Sequence, residues 1–216
     1  MDLRFKPEEE EFRSELREFI EREVPQRWKE LHYTYWEEDD ESWEITKMWN
    51  KKLAEKGWYA LTWPKELGGS GKSEYEKVIF DEEMFRNGTT PTWMEKSITI
   101  DWVGPTIMLF GNQEQKDKYL SKAAAGELYF CLGYSEPDSG SDLGSIKTTA
   151  IETDDAYIVN GQKIWTTQAH RADYVWLAAR TDLETSPQKG ISMLIVDLKS
   201  PGITIRPIEN MLEAHS

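Results

Sequence analysis

A ten-residue stretch from Gly133 to Asp142, GYSEPDSGSD, concentrates groups that form hydrogen bonds. It contains three serines, two glycines, one proline and three acidic residues. Serine hydroxyls both donate and accept, and Gly140 lets a ligand approach the backbone N–H groups around it. This stretch, here called the serine bend, is suited to binding the polar edge of a heterocycle or a phosphate. An ordinary surface loop is the alternative interpretation.

A second group of candidate residues follows about thirty positions later along the chain. Trp165 is followed directly by Thr166 and Thr167. An indole face beside two hydroxyls could stack on an aromatic ligand and form hydrogen bonds with its edge. A core tryptophan followed by two strand threonines is the alternative.

Other kinds of site fit the sequence less well. The segment ELGGSGKS has Glu66 where a nucleotide-binding phosphate loop requires glycine, so a glycine turn between two helices is favoured. His32, His170 and His215 lack the paired spacing of metal ligands, and no metal site is expected. GYSEP lacks the second glycine of a serine-hydrolase nucleophile elbow.

The elements before these groups are predicted to be helices, because apolar residues recur there at three- and four-residue spacing. The first helix begins near Pro7 and ends at Pro25, since proline suits a first turn and interrupts a later one. A later helix has Ser73 as its N-cap and Glu76 as the capping-box partner. Three more are predicted within ESWEITKMWNKKLAEKG, ITIDWVGPTIMLFG and NQEQKDKYLSKAAAG.

From Tyr129 onward the apolar residues alternate with a period of two, which is typical of β-strands. Four segments rich in β-branched and aromatic residues are expected to form strands, and Asn160-Gly161 predicts a type I′ hairpin turn between two of them. The fold class is therefore α+β. A helical domain is predicted over residues 1–128 and an antiparallel, barrel- or sandwich-like β domain over residues 129–216.

Composition narrows the range of partners. The 216 residues carry a net charge of −14, so sequence-independent nucleic-acid binding is not expected. Cys131 is the single cysteine of the sequence, which excludes an internal disulfide. No apolar run is long enough for a membrane span, and the first residues lack the apolar core of a secretion signal. A cytoplasmic location is the expectation.

Four motifs resemble one family. CLGYSEPDSGSD followed by YIVNGQKIWTTQAHRADYVWLAAR resembles the acyl-CoA dehydrogenase family of flavoproteins. WPKELGGSG and GPTIMLFGNQEQKDKYLSKAAAGE resemble the N-terminal helical domain of that family, in the same order. The resemblance implies an FAD-dependent oxidoreductase of fatty acid or lipid metabolism. Such an enzyme oxidises an acyl-CoA thioester to the 2,3-enoyl-CoA, with hydride transfer to flavin, and passes electrons to an electron-transfer flavoprotein.

The same resemblance implies the residues that contact the cofactor. The segment before and including Ser135 is expected along the flavin, and Trp165 is expected to pack on the isoalloxazine ring. Ser141 is expected to approach the thioester substrate as well as the cofactor. The nine cofactor-binding residues implied are Leu132, Gly133, Tyr134, Ser135, Gly140, Ser141, Trp165, Thr166 and Thr167.

Similar proteins continue with further strands and a C-terminal helical domain that supplies the catalytic glutamate. No catalytic residue is therefore assigned in this sequence, and the chain is expected to be a fragment or an incomplete gene product. The alternative is a non-catalytic flavin-binding subunit or assembly partner that relies on a second chain. The resemblance also implies an oligomer, a homotetramer in the family's usual form or else a hetero-oligomer.

Overall fold

The chain forms a helical unit followed by a unit built on a β-sheet. The computed structural model describes residues 4–26, 40–89 and 96–208. The two compact units are Met1–Leu128 and Tyr129–Ser216. The order of helices and then strands confirms the predicted α+β class. Among the described residues, no helix combines the length and the apolar character needed to cross a membrane.

Five α-helices form the described part of the first unit, and each overlaps one of the predicted helices. They pack through apolar faces: in the first helix Leu16 is fully buried, and in the second Trp49 and Leu53 are fully buried. This burial follows from the three- and four-residue spacing of the apolar side chains. The helices are α1 (Pro7–Glu23), α2 (Asp40–Glu55), α3 (Glu74–Arg86), α4 (Gly104–Phe110) and α5 (Gln113–Ala124).

Two helices begin with reciprocal hydrogen bonds between a capping residue and the third helical residue. At α3, the Glu76 N–H donates to the Ser73 hydroxyl at 3.2 Å, and the Ser73 N–H donates to the Glu76 carboxylate at 2.8 Å. The capping box predicted at Ser73 is therefore confirmed. Asn112 and Gln115 form the same arrangement at the start of α5.

The glycine-rich segment before α3 is a turn between two helices, as predicted. It begins with a short 3₁₀ turn, Lys65–Leu67, and continues through Gly68, whose φ of 89° is left-handed. A Cβ built at Gly69 would overlap the backbone carbonyl of Trp63, so close packing of the chain requires glycine there. The Lys72 ammonium pairs with the Glu76 carboxylate at 2.6 Å, so the lysine of this motif has a structural partner.

The predicted apolar helix near residue 100 is interrupted. Ser97–Val103 is π-helical and leads directly into α4. The buried Trp63 indole N–H donates to the Ile100 carbonyl at 3.0 Å, and the Trp63 ring occupies the place where a Cβ at Gly104 would lie. The wider π-helical turn accommodates this indole. A side chain that inserts into a helix commonly causes such a local distortion.

The second unit contains a five-stranded sheet that is mixed and not closed. Its most connected strand, β4, pairs in parallel with β1 and, at one residue pair, with β2, and it pairs antiparallel with β5. The β2–β3 pair is antiparallel. The sheet is therefore mixed rather than wholly antiparallel, because the long excursion between β1 and β4 lets the chain return in the same direction. The strands are β1 (Phe130–Gly133), β2 (Thr149–Glu152), β3 (Tyr157–Asn160), β4 (Tyr174–Arg180) and β5 (Ile191–Asp197).

The prediction of a type I′ hairpin turn at Asn160-Gly161 is wrong. Neither residue has positive φ, and residues 161–166 are not in a strand. The β2–β3 connection lies earlier, where the Thr153 N–H donates to the Ala156 carbonyl at 2.7 Å. Glycine is needed at position 161 for a different reason: a Cβ there would overlap the Thr148 side chain. The Asn-Gly pair thus marks a close approach of two backbone segments rather than a turn.

Candidate functional site

The serine bend folds into a defined turn directly after β1. Glu136 and Ser139 exchange two backbone hydrogen bonds, at 2.7 and 3.0 Å, and the Ser139 hydroxyl donates to the Asp142 carbonyl at 2.7 Å. Ser139 is buried, whereas Gly140 and Ser141 are exposed at the tip. The bend therefore presents its glycine and its last serine to solvent while its other end is fixed.

A buried carboxylate anchors the bend. Glu136 is 7% exposed. One of its oxygens accepts hydrogen bonds from the Thr148 N–H at 2.9 Å and from the Lys163 ammonium at 2.9 Å. The other oxygen accepts from the Lys147 N–H at 2.6 Å. The same Lys163 ammonium also donates to the Tyr134 carbonyl at 3.0 Å.

The pKa values of this ion pair follow from burial and hydrogen bonding. Burial by itself raises the pKa of Glu136, but hydrogen bonds from Thr148, Lys147 and Lys163 outweigh it and lower the pKa to about 2. The pKa of Lys163 is also lowered, because burial of the ammonium outweighs the favourable interaction with Glu136. The carboxylate is therefore ionised throughout the physiological pH range.

Trp165 lies next to the serine bend with its side chain exposed. The Ile164 N–H donates to the Ser135 carbonyl at 2.9 Å, which joins the two candidate segments directly. Trp165 has a φ of 60°, a left-handed conformation that is strained for a bulky residue. Its side chain is 61% exposed, so burial of the indole within this unit does not compensate for that strain.

The segment after Trp165 is held by a tight turn. Gln168 also has positive φ, at 63°. The Ala169 N–H donates to the Thr166 carbonyl at 3.1 Å, and the Ala172 N–H donates to the Gln168 carbonyl at 3.0 Å. Thr166 and Thr167 are half-buried within this turn. Trp165 is thus fixed on both sides, by the Ile164 hydrogen bond before it and by this turn after it.

The segment from Leu132 to Ser135 contributes differently at each position. Gly133 is buried, and a Cβ there would come within 2.8 Å of a Val175 methyl group, so packing against β4 requires glycine. Leu132 alternates with the buried Cys131 and Gly133, so its side chain lies on the other face of the sheet, and Tyr134 follows directly after the strand. Burial raises the pKa of Tyr134, opposed by a side-chain hydrogen bond with Trp176.

Gly140 differs from the other glycines of the site. A Cβ built there would meet no atom within 4 Å, and its φ is not left-handed. Neither backbone conformation nor packing within this unit therefore requires glycine at position 140. Ser141 is exposed directly beside it.

One opening of the second unit lies over the apolar face of the sheet. It is a cavity of about 990 Å³. Of the nine predicted residues, Trp165 and Thr166 line it. The apolar lining from β4 and β5 consists of Val175, Leu177, Leu194, Ile195 and Val196. The serine bend does not line this cavity, so the two candidate segments meet at the sheet's end rather than inside it.

Metal and thiol chemistry find no support in the residues that the structure describes. Those residues contain no group of three or more His, Cys, Asp or Glu side chains placed to hold a metal ion. Two of the three histidines, His32 and His215, lie outside the described residues. Cys131 is fully buried in β1, and burial raises its pKa to about 12. A thiol in that state is a poor nucleophile.

The ion pair between Glu136 and Lys163 was not predicted from sequence. The two residues are 27 positions apart, and neither belongs to a motif whose spacing indicates pairing. No role was predicted for the acidic residues of the serine bend, and the structure shows that Glu136 is buried. No local sequence signal indicates this pair, because it forms only when the two segments meet in the folded unit.

With the fold and this geometry established, the sequence matches two family models that together span nearly all of the chain. Residues 6–127 match the N-terminal domain of acyl-CoA dehydrogenases, and residues 131–214 match the middle domain. The chain therefore belongs to the acyl-CoA dehydrogenase family.

Similar proteins agree with this assignment. Acyl-CoA dehydrogenase FadE26 of Mycobacterium tuberculosis is 40% identical over an alignment of 218 positions that covers 98% of this chain and 52% of the relative. The ChsE4–ChsE5 complex of Mycobacterium tuberculosis contains a chain with 38% identity and a TM-score of 0.84, matched over 99% of this chain and 52% of that one. A Tcur3481–Tcur3483 steroid acyl-CoA dehydrogenase gives 37% identity and a TM-score of 0.84, over 98% and 53% of the two chains. The chain thus spans about half the length of these relatives.

Proposed function

We propose that this chain forms the flavin-binding part of an FAD-dependent acyl-CoA dehydrogenase. The observation that carries the proposal is the hydrogen bond between the Ile164 N–H and the Ser135 carbonyl, at 2.9 Å. It joins the serine bend to the exposed Trp165, two segments that are about thirty residues apart in sequence. Family membership supports the same assignment.

The residues present fit the chemistry of a flavin. The ring system is flat and apolar in its faces and polar at its edges. The 61% exposed indole of Trp165 offers a stacking surface. The hydroxyls of Ser135, Thr166 and Thr167 can donate to the ring edge, and the open space at Gly140 admits a ligand to the backbone. We assign Leu132, Gly133 and Tyr134 contacts through their backbone groups.

The proposed contribution of this chain to catalysis is binding and electrostatic stabilisation. Bound FAD supplies the acceptor for the hydride that leaves the acyl chain. Hydroxyl donors at its edge stabilise negative charge that develops on reduction, because they are fixed before the reaction begins. Ser141, exposed at the tip of the bend, is proposed to contact the acyl-CoA thioester as well. No described residue of this chain is assigned as the catalytic base.

The whole activity is proposed for a longer assembly. Since the chain spans about half the length of its relatives, the base and much of the acyl pocket are assigned to the additional length that those relatives have. Two of the similar structures are described as containing two different proteins, which favours a hetero-oligomer over a homotetramer. An electron-transfer flavoprotein is the proposed electron acceptor.

A non-catalytic flavin-binding subunit is the second candidate. This candidate is favoured by the two-protein complexes among the structures similar to this chain. Anaerobic addition of an acyl-CoA to FAD-loaded protein separates the two candidates. Bleaching of the flavin by the chain alone indicates a competent enzyme. Bleaching only after a second protein is added indicates a subunit that depends on its partner.

Flavin binding itself is tested by titrating the purified chain with FAD. We expect retained visible absorbance after gel filtration and an increase in the melting temperature, because a ligand that binds only the folded state stabilises it. ATP at the same concentration serves as the control for non-specific nucleotide binding. Absence of both retained FAD and thermal protection would show that the flavin assignment is wrong for this chain.

A further inference from the structure

We propose that Lys163 is a positioning residue that holds the serine bend and Trp165 in the arrangement that binds FAD. It acts through its ion pair with Glu136 and its hydrogen bond to the Tyr134 carbonyl. The inference rests on the proposed flavin function and adds a specific role to two residues outside the nine assigned to cofactor binding.

The first step of the argument is the position of the ammonium. Lys163 donates to the Tyr134 carbonyl at 3.0 Å and to the Glu136 carboxylate at 2.9 Å. These two acceptors flank Ser135, whose own carbonyl accepts from the Ile164 N–H at 2.9 Å. Three consecutive residues of the serine bend are therefore bonded to two consecutive residues of the segment that leads into Trp165.

The second step is that both charged side chains are largely shielded from water. The side chains of Lys163 and Glu136 are 11% and 6% exposed. A charged pair shielded from water is screened little by salt and has few alternative partners. The Glu136 carboxylate also accepts hydrogen bonds from the Lys147 and Thr148 N–H groups. The carboxylate thus has a single orientation, and the ammonium bonded to it has one as well.

The third step is the strain at Trp165. A non-glycine residue with a φ of 60° persists where the surrounding structure fixes it. Lys163 lies two residues before Trp165 and supplies this constraint on the N-terminal side, together with the Ile164 hydrogen bond. Loss of the ion pair lets the segment relax toward negative φ, which would turn the indole away from the bend.

A buried ion pair is not needed for stability as such, because an apolar pair of similar volume often stabilises a fold equally well. The ion pair instead fixes the orientation of the two segments, because each charged group requires a particular partner. We therefore expect its removal to change the conformation of the two segments more than the stability of the whole sheet.

The experiment compares four variants of the whole chain: Lys163→Met, Lys163→Arg, the double variant Glu136→Gln/Lys163→Met, and Lys147→Met as the matched control. The control removes an ammonium that pairs with Asp138 while both side chains are about three-quarters exposed, at 75% and 74%. An exposed pair of this kind contributes little. Amide hydrogen exchange is measured without FAD, and FAD affinity and the visible circular dichroism of bound FAD are measured with it.

For Lys163→Met we expect roughly tenfold faster exchange at the Ile164 amide, unchanged exchange in β4 and β5, and FAD affinity lowered about tenfold or more. The circular dichroism of the remaining bound FAD should change, because the indole no longer holds the same position. Lys163→Arg should restore most of the affinity and the spectrum. Lys147→Met should match the parent protein.

Three results would overturn the proposal. One is a folded Lys163→Met variant with parental exchange, affinity and spectrum. Another is unfolding of both Lys163→Met and the double variant, since the pair would then stabilise the whole unit. The third is a Lys147→Met variant as impaired as Lys163→Met. If the parent protein itself binds no FAD, the proposed function fails, and exchange at Ile164 still decides whether the pair couples the two segments.

Discussion

Gly140 leaves open space where every other residue type would place a side chain. Its backbone conformation is ordinary, and a Cβ there touches nothing within 4 Å. Most glycines of the chain that the structure describes have a packing or conformational reason, so this one stands apart. We attribute it to the approach of a ligand to the serine bend.

The substitution Gly140→Ala tests whether glycine at this position serves the approach of a ligand or the folding of the chain. We expect the melting temperature of the unliganded protein to stay the same or rise slightly, since alanine reduces the freedom of the unfolded chain. We expect FAD affinity to fall severalfold, because the added methyl group enters the proposed ligand space.

Gly161→Ala provides the contrast, since its Cβ would overlap Thr148. It should destabilise the unliganded protein by about 1–3 kcal/mol in urea unfolding. Equal FAD affinity in Gly140→Ala and the parent protein would contradict the ligand explanation.

Trp165 tests the stacking surface. We expect Trp165→Ala to lower FAD affinity by about 1 kcal/mol or more, roughly fivefold, because an aromatic contact is lost. Little change is expected in the unfolding midpoint, since the side chain is 61% exposed. Trp165→Phe should retain most of the affinity. Quenching of FAD fluorescence measures the affinity of the parent protein and of both variants. A loss of stability in Trp165→Ala with unchanged affinity would indicate a core tryptophan instead.

At the scale of elements, α1 and α3 are joined by a buried carboxylate. Glu83 is 1% exposed and accepts from Arg13 at 2.7 Å and from Arg17 at 2.8 and 2.9 Å. The hydrogen bond from Arg17, opposed in part by burial, lowers the pKa of Glu83. This contact fixes the two helices along a face that apolar packing alone would leave free to slide.

Removal of this carboxylate should therefore destabilise the helical unit. We expect Glu83→Ala to lower the free energy of unfolding by about 2–3 kcal/mol, less than for a fully buried pair because Arg17 is half exposed. Asp81→Ala on the same helix breaks a more exposed pair with Lys77 and should cost less than about 1 kcal/mol. Equal effects of the two substitutions in urea unfolding would contradict the distinction.

The helices were predictable because their signals are local. Ser73 and Glu76 are three residues apart, and the capping box between them needs no information from elsewhere in the chain. The sheet was harder, since the parallel pairing of β1 with β4 and the role of Gly161 depend on contacts between distant segments. The nine residues proposed to bind the cofactor came from resemblance to a family. The pair that positions two of their segments, Glu136 and Lys163, is a long-range contact that no local pattern reveals.

At the scale of the whole molecule, acid should weaken the protein in part through Glu136. Its pKa is about 2 in the folded protein, below the ordinary value of 4.5. The lowered pKa contributes stability that is present above about pH 4.5 and is lost as the pH falls toward 2. The contribution of this residue is up to about 3 kcal/mol, because the carboxylate is buried.

The pH dependence is measured by urea unfolding at a series of pH values. Other carboxylates also titrate in this range, so the comparison with Glu136→Gln isolates this residue. We expect the stability difference between parent and variant to shrink as the pH falls from about 4.5 toward 2. A difference that stays constant over that window would contradict the lowered pKa.

The buried Cys131 thiol provides an intrinsic probe for local opening of the sheet at β1. It is the single thiol of the sequence, it has no exposed surface in β1, and burial raises its pKa to about 12. An alkylating reagent at neutral pH should therefore react only with molecules whose β1 has separated from β4. The rate of labelling then reports how often β1 separates from β4, and no added probe is needed. Slower labelling in the presence of FAD would show how strongly the cofactor suppresses this opening.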